Sequence, residues 1–257
     1  MSTSTLTVEQ VRGRSVVVGS SAQSPLQLLN PSNEGDGAWV YLASLGGGFV
    51  GADSLSLDVE VRDGAMLFLS SQASTKAYRG SKSSFTMKAR VGADSTLILW
   101  PQPVTCFAGA ALEQVQRFEV AKSSSVLLVD AFTAGRVARE ERWAFDSLSS
   151  RLSVDVDGTA WLREGVVLDV AHGALGERMH GLEAFATIVM RGPRFSALAR
   201  EVALATSVAP QQVLVTVSPR DDGAIVRVAA PSVEGLLSRL QGMLRVFVSS
   251  VLGDSLR

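Results

Sequence analysis

The chain has 257 residues, with 24 Lys plus Arg against 25 Asp plus Glu and a single cysteine. The charges nearly cancel and form no basic block, which argues against nucleic-acid binding. Cys106 alone excludes an intramolecular disulfide and suits a reducing compartment. A hydrophobic fraction of 46% implies a sizeable core, while charged residues at 19% leave room for apolar surface that a partner covers.

Residues 1–9 (MSTSTLTVE) carry neither a basic nor an apolar leader region. The most apolar stretch near the end, residues 243–252, is interrupted by Arg245 and falls far short of the roughly 20 residues of a membrane span. A cytoplasmic protein with no membrane partner is expected.

In chain order, Leu55, Leu57, Val59 and Val61 alternate with polar residues as in a half-buried strand. Asp63-Gly64 is a turn dipeptide and residues 65–70 (AMLFLS) resume as a strand, so a hairpin is predicted. The alternation continues over residues 85–91, turns at 92–95 and resumes at 96–100. Further strands are predicted at 115–120, 125–130, 151–155, 161–169, 185–190, 213–217 and 225–228. Two stretches change period. Residues 194–207, between Pro193 and Pro210, place Phe195, Leu198, Val202 and Ala205 on one helical face. Residues 232–252 do the same with Leu237, Leu240, Leu244, Phe247 and Val251, with Ser232 as N-cap and Gly253 as stop. No repeat of fixed period and no linker stands out. The expectation is a mainly β single domain over residues 1–257, its β body at about 10–192 and 211–230 and its helices at about 194–207 and 232–252. A sandwich, a barrel or a stacked solenoid would each fit.

Catalytic chemistry finds little support. His172 and His180 are eight residues apart in a glycine-rich loop and match no zinc or haem spacing, so surface positions are expected. There is no G-x-S-x-G elbow and no phosphate-binding G-x(4)-G-K-[ST] loop. Cys106 reads as a small buried hydrophobe. The run 46–53 (GGGFVGAD) lacks dinucleotide spacing and is followed by a strand, so its glycines serve the backbone.

Four ordered blocks do point to a family. Residues 46–53 (GGGFVGAD), 71–79 (SQASTKAYR), 100–110 (WPQPVTCFAGA) with Gln114, and 130–145 (DAFTAGRVAREERWAF) resemble the segments of UreD/UreH urease accessory proteins. The matching positions include Gly47, Gly48, Gly51, Gln72, Thr75, Lys76, Tyr78, Arg79, Pro101, Pro103, Phe107, Gly109, Gly135, Arg136, Arg139 and Glu141. They are expected to be structural or to face partners. Three positions depart from the family pattern: Ala52 and Glu140 stand where it has glycine, and Ser71 where it has threonine.

The resemblance implies a helicoid stack of β-sheets with C-terminal helices and no enzymatic activity of its own. It implies a scaffold for urease maturation that binds urease apoprotein and a UreF-type partner, through which a UreG-type GTPase joins. No cofactor is held tightly, and nickel is in transit. By family correspondence Asp53, Asp130 and Glu164 are candidate carboxylates along an internal nickel path. Against this, Asp53 could cap a turn, and Asp130 could form an internal ion pair with Arg136 or Arg139. The alternatives are a β-rich ligand- or carbohydrate-binding module, which would need an exposed aromatic groove, and a hydrolase.

Overall fold

The computed structural model describes the backbone of residues 3–31, 35–205 and 213–252. The first strands are β1 (Ser4–Val11), β2 (Arg14–Ser21), β3 (Leu26–Leu29) and β4 (Ala38–Ser44). Three coils follow, each of three strands. They are β5 (Gly48–Phe49), β6 (Ser54–Val61) and β7 (Met66–Ser71), then β8 (Lys76–Ala77), β9 (Ser83–Val91) and β10 (Thr96–Trp100), then β11 (Val104–Cys106), β12 (Ala111–Val120) and β13 (Ser125–Thr133). The chain continues through β14 (Gly135–Arg136), β15 (Glu141–Arg142), β16 (Ser147–Val156), β17 (Thr159–Asp169) and helix α1 (Leu175–Arg178). It ends with β18 (Ala184–Arg191), α2 (Ser196–Ala205), β19 (Leu214–Arg220), β20 (Gly223–Ala230) and α3 (Val233–Leu252).

The expected hairpin at Asp63-Gly64 does not form. β6 lies in a seven-stranded sheet ordered β17-β16-β12-β9-β6-β1-β2, whereas β7 lies in the facing sheet, ordered β19-β20-β18-β13-β10-β7-β4-β3 along its main path. The turn is a corner between two sheets. Each strand pairs in parallel with its counterpart one coil later, as β6 with β9, β9 with β12, β7 with β10 and β10 with β13. Contacts between coils recur at separations of 29 or 30 residues, so the chain does contain a repeat. The sequence at the corners shows it: Val61, Val91 and Val120 stack in register, as do Leu67, Leu97 and Val126. The corners are tied by side chains. Asp63 Oδ1 accepts from the Ala93 amide at 2.8 Å, and the Asp94 amide donates to Ser123 Oγ at 3.0 Å.

The two sheets differ in what covers them. Leu57, Val59, Met87, Ala89 and Phe118 of the first sheet meet Leu67, Leu69, Leu97, Leu99 and Leu128 of the second in the central core. The outer face of the first sheet is polar, with Asp58, Glu60, Lys88, Arg90, Arg117 and Glu119 exposed. The second sheet is buried on both faces, because Leu198 and Val202 of α2 and Leu236 and Leu240 of α3 pack on Phe68, Ile98, Leu127 and Ile188. Strands covered on both sides read as continuous apolar runs, and half-covered ones alternate. AMLFLS and LEQVQRFEV differ for that reason.

The C-terminal helices lie close to their expected positions, and the Gly235 amide donates to Ser232 Oγ at 3.0 Å as the N-cap assignment requires. Residues 206, 207 and 210, Gly253, and the side chains of Ala205, Leu244, Phe247 and Val251 lie outside the described ones. Two other expectations fail. The polar start forms β1, so the β body begins at Ser4 and not near residue 10, and part of the glycine-rich loop forms α1.

The two family glycine positions that this chain fills otherwise are both left-handed, Ala52 at φ 66° and Glu140 at φ 62°. A Cβ there costs about 1–2 kcal/mol, partly offset by the lower unfolded-state entropy of a non-glycine residue. The double variant Ala52→Gly/Glu140→Gly should therefore be more stable by roughly 1 kcal/mol. Urea denaturation would register this as a raised midpoint at unchanged slope; a lowered midpoint would contradict the assigned strain.

Candidate functional site

The strands β7 and β10 stop at Ser71 and Trp100, while the in-register strand β13 runs on to Thr133. The space left between the sheets is a cavity of about 240 Å³. Ser44, Gly47, Gln72, Ser74, Gln114, Gln116 and Asp130 supply its polar lining, beside apolar side chains such as Leu55, Phe85 and Met87. Gly47 and Gln72 are exposed, so the cavity reaches the surface there, while Gln114, Gln116 and Asp130 are buried.

Alternation along the strands sets which side chains point in. On β12, Leu112, Gln114, Gln116, Phe118 and Val120 are buried and the residues between them are not. On β13, Val126 and Leu128 belong to the central core while Leu127 and Val129 face the helices, which turns Asp130 inward. On β16, Ser150 lies between the buried Leu148 and Leu152. Asp130 is therefore mid-strand, and it does not end its strand as expected.

Asp130 is only 7% exposed and accepts two short bonds: Gln114 Nε2 donates to Oδ1 at 2.7 Å and Ser150 Oγ donates to Oδ2 at 2.7 Å. The expected partners Arg136 and Arg139 do not pair with it. Arg136 Nε instead donates to Glu141 Oε2 at 2.7 Å. No cation among the described residues forms an ion pair with Asp130. Burial pushes its carboxyl up to about 6, and donation by Ser150, Gln114 and Gln116 offsets only part of that.

The other two candidate acids sit elsewhere. The Val50 amide donates to Asp53 Oδ2 at 2.8 Å, so this carboxylate closes a turn. Arg227 Nε donates to Glu164 Oε1 at 3.1 Å, and a second bond joins Arg227 Nη2 to Oε2. Neither residue lines the cavity.

Many of the family-motif residues converge beside the cavity. Gly48 pairs with Lys76 across β5 and β8, and a Cβ on Gly48 would fall 2.0 Å from the Lys76 carbonyl oxygen, so only glycine fits. Tyr78 meets the Phe107 ring edge-on at 5.1 Å between centroids. The Arg136 guanidinium lies 4.2 Å over the same ring and holds the Glu141 carboxyl below the usual range. Arg79 lies along Gly109, Gly135 approaches the Cys106 and Glu141 carbonyls, and Arg139 sits exposed beside Glu141. Gly51 is left-handed in the same loop as Asp53. Pro101 and Gln72 line the cavity with Thr75, and Pro103 is buried behind them.

Among the described residues no three of His, Cys, Asp and Glu come together as a metal-binding group. His172 and His180 are exposed, and Cys106 is buried with its thiol pushed up to about 12 by desolvation. Trp39, Phe68, Phe132, Trp143, Phe145 and Phe185 pair with one another inside the fold, which leaves none of them for an exposed sugar-binding groove. No described helix is long and apolar enough to cross a membrane.

Fold and site together define a stacked-coil, mainly β protein in which, among the described residues, Asp130 is a buried carboxylate without a counter-cation. The family model for the UreD urease accessory protein matches residues 2–257, and the chain belongs to that family. It is 46% identical over 254 residues to a urease accessory protein UreD of Sorangium cellulosum, covering 97% of this chain and 81% of that one. It is 44% identical to a urease accessory protein UreD of Anaeromyxobacter sp., covering 96% and 85% of the two chains. A urease accessory protein D of Arabidopsis thaliana is 33% identical over 79% of this chain and 72% of its own. This membership assigns the chain a role in urease maturation.

The folded-state proton affinity of Asp130 has a consequence for stability. A carboxyl raised from 3.8 to about 6 binds more protons folded than unfolded, so its contribution is intact below pH 3.8 and is lost as pH rises through about 6. Asp130→Asn should therefore be more stable than the parent at pH 7.5, by up to about 3 kcal/mol, with the gap closing near pH 4. Paired urea titrations at the two pH values test this, and a variant less stable at pH 7.5 would contradict it.

Proposed function

We propose that this protein is a non-enzymatic cytoplasmic scaffold that binds urease apoprotein and a UreF-type accessory protein. A UreG-type GTPase joins through that partner and supplies GTP hydrolysis. Nickel is the cargo, and it passes through the cavity beside Asp130 on its way to the urease active site.

The observation that carries this reading is a carboxylate buried without a counter-cation in a cavity that reaches the surface. A buried charge of this kind is costly, and its own stability gives no reason to keep it. Nickel(II) is held tightly by imidazole and thiolate and more weakly by oxygen. Exposed histidines and a buried protonated thiol leave oxygen donors along the cavity, which suits passage: favourable entry with easy exit. Asp53 and Glu164, occupied in a turn and an ion pair, are assigned structural roles in this scheme.

Co-expression of urease and its accessory proteins with Asp130→Ala should give urease with several-fold less nickel per active site, measured by elemental analysis. The accessory complex should still co-purify at parental yield. Unchanged nickel would remove the conduit. Equal loss of nickel and co-purification, with a lower melting temperature, would reduce Asp130 to a structural residue.

A further inference from the structure

The cavity contains a second chemical feature, resting on the nickel-conduit reading above. Gln114 and Gln116 are 7% and 4% exposed and occupy inward positions on a strand whose other inward residues are Leu112, Phe118 and Val120. A buried amide has two donors and one acceptor to satisfy. The Gln114 amide nitrogen is committed to Asp130 at 2.7 Å and to Ser150 Oγ at 3.4 Å, and the Gln116 side chain lies close enough to Asp130 to lower its carboxyl. No described group donates to either amide oxygen, yet neither oxygen is sealed in the protein, and both residues line the cavity. Two amide carbonyls thus border the same space as the carboxylate.

We propose that Gln114 and Gln116 are ligands of the cargo cation, joining Asp130 in a transient site built only of oxygen. With no ion, the Gln114 NH₂ group holds the carboxylate and Gln116 stands beside it. When a divalent ion arrives, rotation about the terminal side-chain bond turns their carbonyls toward it, and Ser150 continues to donate to Asp130 Oδ2. The terminal torsion of glutamine is broad and two-fold, so this exchange needs no backbone movement. One carboxylate and two amide oxygens form a hard donor set that binds Mn²⁺, Co²⁺ and Ni²⁺ weakly and with little discrimination. Selection of nickel then belongs to the partner that loads the scaffold.

The test uses the intact chain labelled with ¹⁵N, titrated with NiCl₂ and separately with MnCl₂, and follows the side-chain amide signals of its glutamines. Paramagnetic broadening should reach Gln114 and Gln116 first with both metals, and Asp130→Asn should abolish it. The near-isosteric variant Gln114→Met/Gln116→Met should weaken the apparent affinity roughly tenfold, read from Asp130-adjacent backbone amides, equivalent to about 1.4 kcal/mol. Thermal melting confirms that each variant is folded. Should the double variant bind as the parent does, or should broadening appear only around His172 and His180, the glutamines are donors alone and the assignment fails. That outcome leaves the conduit standing if Asp130→Ala still lowers the nickel content of urease. Unchanged nickel there removes the conduit whatever the titration shows.

Discussion

Parallel pairing between successive coils is the constraint on which the rest depends. Because β6, β9 and β12 stack in register on one side and β7, β10 and β13 on the other, every inward position recurs one coil later. A stack of this kind buries an apolar column by repetition, each coil covering the face that its neighbour cannot cover alone. It also makes any irregularity local. When two strands of the column end and the third continues, the column opens at one level only, and the side chains at that level alone border the opening. Gln114, Gln116 and Asp130 border the opening, Ser150 stands in register with Gln114 behind them, and Phe118 and Leu128 fill the core next to it.

Much of the architecture was legible in the residues and some was not, for physical reasons. Alternation along 55–61 and 85–91 marks half-covered strands, and helical spacing marks α2 and α3. Alternation does not say which strand a given strand pairs with. Asp63-Gly64 reads as a hairpin turn although the chain there passes from one sheet to the other. The repeat was present in the corner segments VRDGAMLFL, VGADSTLIL and VAKSSSVLL, where valine, then a small residue, then an apolar run recur in stacked positions. It is hard to see because the intervening connections differ in composition, and only the backbone bonds between coils align them.

The site was legible to a smaller extent. Family correspondence pointed to three acids, and geometry separates them: Asp130 faces the cavity, Asp53 closes a turn and Glu164 is clasped by Arg227. Gln116 and Ser150 do not stand out in the sequence, and Gln114 does so only as a motif position. The signal for the two glutamines was their phase: on β12 they fall at the inward positions shared with Leu112 and Phe118. A polar residue in the buried phase of a strand needs a partner or a task, and that rule would have marked both. Ser150 is less conspicuous, because a serine in a strand is chemically unremarkable until the facing carboxylate is known.

The ends of the stack have a consequence of their own. A column of parallel strands offers bare hydrogen-bonding groups at both extremities, and such edges invite end-to-end growth into fibres. In the first sheet both extremities reverse direction. β2 returns antiparallel along β1, and β17 returns antiparallel along β16, each pairing containing a register shift. At one end of the second sheet the outermost strand is β19, which carries Pro219 and so lacks one amide. An arriving copy thus meets reversed polarity, altered twist and a missing donor where propagation would require a matching template. The molecule uses a polymerisable architecture while blunting the edges from which polymerisation would start.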